Sequence, residues 1–256
     1  MKELLEKMLG IANAAGSIIM EVYQNNYEVE FKEDLSPVTK ADQASHAVII
    51  REINGLSQRY PVLSEEDVKG FTGWQPGGFY WLVDPLDGTK EFISENGEFT
   101  VNIALIKNDT PVLGVVTAPA LGVAYVAAQG LGAFKVDIKG QYQRIRVSNK
   151  ARDSDGLRVV SSRHHHTAEL EAWLTRLKNA DIRPVGSSLK FCLIAEGLAD
   201  VYPRFGPTGL WDTAAAQVIV EEAGGVVETM EGGPLRYGDP SQVINPSFVV
   251  WGSRPC

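Results

Sequence analysis

The stretch YWLVDPLDGTKEF, residues 80–92, places Asp84 at the end of an apolar run and a second acid, Asp87, three positions on. A carboxylate beside apolar surface is costly unless it is paired or bound to a metal. Pro85 prevents simple continuation of the strand, and a turn there lets Asp84 and Asp87 converge with the Leu86 carbonyl between them. Gly88 permits close backbone approach. Thr89 opens a short helix whose first N–H groups suit a phosphate. Taken alone, the same spacing also reads as a turn in which Asp87 caps the helix.

Two further segments repeat the arrangement. In VLSEED, Glu65, Glu66 and Asp67 follow a short apolar strand; alone they read as a solvated acidic loop. In GLWDTAAAQVIVEEAGG, Asp212 stands just before a helix whose Ala214, Ala215 and Ala216 allow close packing; alone it reads as a helix cap. Together, the segments put acids where strand or turn backbone hands over to the next element. Hard divalent cations take oxygen ligands, and no His/Cys cluster stands at zinc spacing, so Mg²⁺ is the expected ion. Glu65, Asp84, Asp87 and Asp212 would bring together about four negative charges, which a pair of divalent ions about 3.5–4 Å apart would neutralise.

The elements that must position these acids can be read from periodicity. Leu4, Leu5, Met8, Ile11, Ala12, Ala15, Ile18, Ile19 and Val22 recur at helical spacing, and the Ser36-Pro37 turn leads to a second helix expected to end near Tyr60. Strands are expected at 62–63, 80–83, 99–106, 112–118, 123–128 and 133–136, with short connections that argue for antiparallel pairing. The polar stretch SNKARDSDG marks a boundary near residue 150, dividing an N-terminal α+β lobe, 1–150, from a C-terminal α/β lobe, 151–256. In the second lobe, strands at 158–161, 182–185, 201–202, 226–228 and 248–251 alternate with helices at 168–179, 189–196 and 213–223. Trp81, Trp211 and Trp251 are expected in the core.

The chain has 256 residues and a formal charge of −8, from 24 basic and 32 acidic residues. That balance argues against a nucleic-acid polymer or an anionic membrane as partner. The two cysteines, Cys192 and Cys256, form no disulfide framework, which suggests a reducing compartment. The N-terminus lacks the pattern of a signal peptide, and no stretch is apolar enough to span a bilayer.

DPLDGTKEF, SEED and WDTAAAQVIVEEAGG, in that order, resemble the inositol monophosphatase superfamily of metal-dependent, lithium-sensitive phosphatases. SPVTKAD, NGEFTVNIALI, GSSLKFCLIAEG and YPRFGPTG resemble its bacterial 3′(2′),5′-bisphosphate nucleotidase branch, associated with sulfur assimilation. The resemblance covers nearly the whole chain and is weakest over 138–157 and after about 229. It implies a layered α/β/α/β/α sugar-phosphatase fold, and Glu65, Asp84, the Leu86 carbonyl, Asp87 and Asp212 as ligands of two or three Mg²⁺ ions. It implies that Asp42 and Thr89 activate the attacking water; Asp42 alone would read as a first-turn acid of its helix.

For substrate, the resemblance implies a phosphorylated nucleotide. Adenosine 3′,5′-bisphosphate would lose its 3′-phosphate, and 3′-phosphoadenosine 5′-phosphosulfate is a further candidate. Glu65, Leu86, Asp87, Gly88, Thr89 and Asp212 would meet the scissile phosphate, and His165, Ser187, Lys190 and Arg204 the rest of the nucleotide. Lys190 and Arg204 suit a second phosphate; each also reads as a surface cation, and Ser187 as a helix cap. His165 is one of three consecutive histidines, His164 to His166, which the sequence does not tell apart. The setting implied is cytoplasmic, with relatives held loosely at the inner membrane's cytoplasmic face. An inositol or sugar phosphatase and a phosphonucleotide-binding sensor are the alternatives; the full acidic set argues against the sensor.

Overall fold

The computed structural model describes residues 1–25, 29–31, 37–71, 73, 78–163, 167–239 and 242–253. His164, His165, His166, Ser36 and Cys256 lie outside the described residues. The first helix, α1 (Lys2–Tyr23), buries Leu5, Met8, Ala12, Ala15 and Ile19 at three- and four-residue spacing. Two short antiparallel strands, β1 (Val29–Phe31) and β2 (Pro37–Thr39), precede α2 (Lys40–Asn54), so a strand pair comes earlier than periodicity predicts. The second helix stops at a Gly55 C-cap, well short of Tyr60. Glycine is a poor helix interior residue, and Tyr60 precedes Pro61, which disfavours helical backbone there.

A seven-stranded sheet follows, its strand order that of the sequence. It comprises β3 (Val62–Ser64), β4 (Phe79–Asp87), β5 (Thr100–Lys107), β6 (Thr110–Ala118), β7 (Val123–Ala128), β8 (Gly132–Asp137) and β9 (Tyr142–Arg144), with helix α3 (Thr89–Ile93) between β4 and β5. From β4 onward the pairing is antiparallel, as the short connections require, whereas β3 joins β4 in parallel. The edge strand β9 is exposed at all three residues, so it carries no apolar signal. Both faces of the sheet are covered. Trp81, Val83, Ile103, Leu105, Val115 and Val126 cluster with residues of α1 and α2. Tyr80, Leu82, Ala104, Ile106, Val116 and Ala127 cluster on the other side. Burial of both faces explains why these strands read as unbroken apolar runs.

The remainder contains β10 (Arg158–Ser162), α4 (Ala168–Leu174), β11 (Asp181–Val185), α5 (Leu189–Ala195), β12 (Val201–Arg204), α6 (Ala214–Glu222), β13 (Val226–Thr229) and β14 (Phe248–Trp251). They build a five-stranded sheet in the order β11-β10-β12-β14-β13. Helix α4 ends at Leu174 rather than at 179: the Thr175 hydroxyl donates to Ala172 O, and Asn179 is left-handed at φ 48°. Helices α5 and α6 pack on each other between the two sheets, α6 against β5 to β8 and α5 against β12 and β14. At Gly114 of β6 a Cβ would fall on the Ala215 carbonyl oxygen, so only glycine lets α6 sit this close. On the far face, Trp173 of α4 packs against Trp251 at 6.0 Å between ring centroids. The layers therefore run α1/α2, sheet, α5/α6, sheet, α4, and one apolar cluster spans both sheets. Among the described residues, no helix is long and apolar enough to cross a membrane.

Candidate active site

Strand β4 delivers the first acids. Its pairing with β5 shifts register between Asp84 and Asp87, which turns the DPLD backbone out of the plain ladder. The Ser45 hydroxyl of α2 donates to Pro85 O at 2.7 Å and fixes that turn from below. Asp84 is buried. Its Oδ1 accepts from Leu86 N at 3.0 Å, but its Oδ2 is buried with no hydrogen-bond partner among the described residues. Glu65 enters from the end of β3, where its N–H donates to Val83 O at 3.1 Å. Asp212 arrives from the turn before α6. The helix N-cap is Thr213, not Asp212; Asp212 Oδ2 instead accepts from Gly209 N at 3.0 Å.

These elements bring Glu65, Asp84 and Asp212 together, with one carboxylate oxygen of each inside a common 4.8 Å span. Burial first, then the charges of Glu65, Asp87 and Asp212, push the Asp84 carboxyl well above its ordinary range. Burial, Asp87 and Glu65 do the same to Asp212. Asp87 is near enough to act on both and lines the same cavity, but the common 4.8 Å span holds only the other three acids. Helix α3 is capped by Gly88 (φ 92°), not by Asp87. Asp87 Oδ2 instead accepts from Ser188 N at 2.6 Å and Ser188 Oγ at 2.7 Å, with Asn102 and Thr100 farther off at 3.4 and 3.5 Å.

The donor set fits a hard divalent cation: carboxylates and a nearby carbonyl, an orphaned buried oxygen, and charges that repel one another without a positive centre. Glu66 and Asp67, by contrast, stay in the loop, where Asp67 Oδ1 accepts from Gly70 N at 2.9 Å.

Two attachments of Asp42 bear on the site. One is the capping box of α2: its Oδ2 accepts from Thr39 N and Thr39 Oγ1, both at 2.7 Å. The other is Thr89, whose hydroxyl donates to Asp42 Oδ1 at 3.2 Å and lies 3.5 Å from Leu86 O. Asp42 is thus both the capping-box acid of α2 and the acceptor for the Thr89 hydroxyl.

A cavity of about 360 Å³ opens over the acids. Gly88, Thr89, Ser187, Lys190 and Arg204 line it, as does Trp211, which is only partly packed on the core. Trp81 and Trp251 are core, as expected. Lys190 Nζ is buried and donates to Ser187 O at 2.5 Å and Val185 O at 3.2 Å, above the Tyr202 ring at 5.4 Å. Arg204 Nε donates to the Thr208 hydroxyl and its NH2 to Pro207 O, both at 2.7 Å. Both cations therefore also brace backbone, which their sequence context does not disclose. Burial, with Arg204 adding, lowers Lys190 to about 8 against the pull of Asp87, Glu91 and Asp212.

Sequence reasoning passed over Ser188, Asn102, Ser45 and the buried, cavity-lining Glu91. Asn102 had a signal: it is a lone amide inside the apolar strand TVNIALI. Its use depends on register, which sets it opposite Asp84.

The model of the inositol monophosphatase family matches residues 1–251. The chain belongs to the inositol monophosphatase family. Among curated relatives, the 3′(2′),5′-bisphosphate nucleotidase CysQ of Salmonella typhimurium is 49% identical over 249 residues, covering 96% of this chain and 99% of the relative. That of Escherichia coli K12 is 48% identical over the same shares. The crystal structure of CysQ from Bacteroides thetaiotaomicron, itself described as a bacterial member of the inositol monophosphatase family, superimposes with a TM-score of 0.82 at 37% identity, covering 98% of each chain. The layered inositol monophosphatase fold inferred from the motifs is thus the fold of this chain.

Proposed function

We propose that this protein is a Mg²⁺-dependent 3′(2′),5′-bisphosphate nucleotidase that hydrolyses the 3′-phosphate of adenosine 3′,5′-bisphosphate to AMP and phosphate. The observation that carries the reading is one cavity lined both by acids, Glu65, Asp84, Asp87 and Asp212, and by buried cations, Lys190 and Arg204. A substrate with two phosphates uses both sets; a monophosphorylated polyol has no use for the second. Full-length similarity to relatives named as such nucleotidases supports the same choice.

In this reading Glu65, Asp84, Asp87, Asp212 and the Leu86 carbonyl hold two or three Mg²⁺ ions. Bound Mg²⁺ supplies charge neutralisation on the phosphate and a more acidic water. Thr89 Oγ1 accepts the proton of the attacking water as its own hydrogen passes toward Asp42 Oδ1. Asp42 keeps that hydrogen bond aligned through its anchorage to Thr39. Backbone N–H groups near Gly88 and Thr89 orient the scissile phosphate for in-line attack. Ser187, Lys190 and Arg204 receive the 5′ end; the family resemblance alone would add a histidine of the 164–166 tract, taken above as His165. The lobes 1–150 and 151–256 share the work: the first holds most of the acids, the second Asp212 and the cations.

The reaction belongs in the cytoplasm by this reading, in keeping with the free, buried Cys192. Attachment at the membrane face rests on family resemblance alone.

The test is Mg²⁺-dependent phosphate release from adenosine 3′,5′-bisphosphate, 3′-phosphoadenosine 5′-phosphosulfate, inositol 1-phosphate and fructose 1,6-bisphosphate, with and without lithium. The nucleotides should lead in kcat/KM, and lithium should inhibit. Preference for inositol or sugar phosphate would replace the nucleotidase assignment, and tight binding without release would make the protein a sensor.

A further inference from the structure

Ser188 joins the two sheets at the metal side of their seam, beside the Gly186 and Arg163 contacts to Glu98. Ser188 sits at the N-cap of α5, yet makes no side-chain bond to its own helix. Its N–H and hydroxyl both reach Asp87 Oδ2, at 2.6 and 2.7 Å, and its Oγ lies 2.8 Å from the Asp212 carbonyl oxygen. The same Oγ accepts from Asn102 Nδ2 at 2.8 Å. The hydroxyl has one hydrogen, and the ionised Asp87 carboxylate is its stronger acceptor. Asn102 fills an acceptor site of the oxygen and so aims that hydrogen. Ser187 precedes it in the left-handed region at φ 46°, a conformation a non-glycine residue rarely takes, and this kink turns the Ser188 N–H toward Asp87.

The consequence is orientational. The hydrogen bonds to Asp87 described above all end on Oδ2, and none among the described residues ends on Oδ1. A carboxylate gripped at one oxygen presents the other in a fixed direction. Ser188 also touches the backbone of Asp212, an acid brought from the other sheet's side of the seam.

We propose that Ser188 is a positioning residue for the metal centre: its N–H and hydroxyl hold Asp87 by Oδ2 so that Oδ1 faces the ion. This rests on the magnesium-dependent reading above. Metal-bound carboxylates are themselves commonly held by such outer partners, whose loss weakens metal binding.

The experiment titrates magnesium chloride into the EDTA-stripped full chain by calorimetry, in parallel with phosphate release from adenosine 3′,5′-bisphosphate at varied Mg²⁺. Ser188→Ala should weaken Mg²⁺ binding about 10–100-fold and raise the half-activating Mg²⁺ concentration in step. At saturating Mg²⁺ the nucleotide KM should stay within about threefold of wild type and kcat should largely return, since the substrate contacts are intact. Ser188→Cys keeps the volume without a strong donor and should behave like Ser188→Ala; Ser188→Thr keeps the hydroxyl and should restore binding. Asn102→Ala should weaken Mg²⁺ in the same direction and supplies the answer if the Ser188 variants do not fold. Wild-type Mg²⁺ affinity in Ser188→Ala, Ser188→Cys and Asn102→Ala would overturn the inference while leaving the nucleotidase reading intact. A wild-type protein that binds no Mg²⁺ would overturn both.

Discussion

The Thr89 hydroxyl of α3 donates to Asp42 Oδ1 of α2 across 3.2 Å, although the residues lie 47 positions apart. Asp42→Asn and Thr89→Ala should therefore act on turnover. Both are expected to lower kcat by about 10²–10⁴ with little change in KM, as loss of a positioned proton acceptor does. Steady-state phosphate release measures this, and near-wild-type kcat in both variants would remove the pair from the mechanism. Asp42→Asn should also cost about 1 kcal/mol of stability through the capping box, which Thr89→Ala should not.

Asp84 carries an opposite stability signature. Its Oδ2 is buried and unpartnered, beside the Glu65 and Asp212 carboxylates. An Asn there would keep an acceptor for Leu86 N and place an amide among acids. Asp84→Asn should abolish turnover yet stabilise the metal-free protein by about 1–3 kcal/mol, which thermal unfolding in EDTA reads as about 2–4 °C per kcal/mol. Because the folded pKa lies above the ordinary 3.8, the fold takes up a proton there. Metal-free wild type should thus lose stability as pH rises from 3.8 through that raised value, and Asp84→Asn should lose less.

Lys190 offers a pH test of substrate recognition. Its ammonium is lowered to about 8, so the charge fades as pH rises through that value. KM for adenosine 3′,5′-bisphosphate should increase above about pH 8. In Lys190→Met the increase should be absent and KM high throughout. An unchanged pH profile in the variant would separate Lys190 from the second phosphate. The fold itself should move the other way: a depressed lysine pKa means that stability rises as pH climbs from about 8 toward 10.5.

A separate brace stands within the five-stranded sheet. Asp200 accepts from Arg158 N, Nε and NH2 at 2.8, 3.0 and 2.6 Å and from Ser148 Oγ at 2.7 Å. Burial alone would raise its pKa, but these donors outweigh burial and pull it to about 2. Its contribution is full above the ordinary 3.8 and lost as pH falls toward 2. With Arg158 partly exposed, about 1–2 kcal/mol is expected from this pairing. Urea unfolding of Asp200→Asn should fall below wild type at pH 7, and the gap should narrow toward pH 2.

Gly114→Ala tests how Asp212 is placed. The added methyl group would collide with the Ala215 carbonyl, pushing α6 off β6. A loss of about 1–3 kcal/mol is expected, together with weaker Mg²⁺ binding, because the Asp212 turn leads directly into that helix. A stable variant with wild-type Mg²⁺ affinity would uncouple the two.

The gathering of Glu65, Asp84 and Asp212 was legible only from the three segments taken together and from the family motifs, since each segment alone also reads as a loop or a cap. Long apolar strands and both outer helices were legible from burial. The short pair β1 and β2, the exposed edge strand β9 and the parallel docking of β3 were not, since none depends on an apolar period. The partners of the acids were hidden more deeply. Ser188 lies 101 positions from Asp87, and no local pattern announces a contact that only the stacking of two sheets creates.

The position of Asp212 has a consequence for biosynthesis. Glu65, Asp84 and Asp87 leave the ribosome long before Asp212, and the glycine at 114 likewise precedes the helix that seats on it. A nascent chain halted upstream of residue 212 carries mutually repelling carboxylates and no complete cradle for a cation. On the metal-dependent reading proposed above, cation capture at this cradle waits until the chain has been made through residue 212 and its following helix has docked.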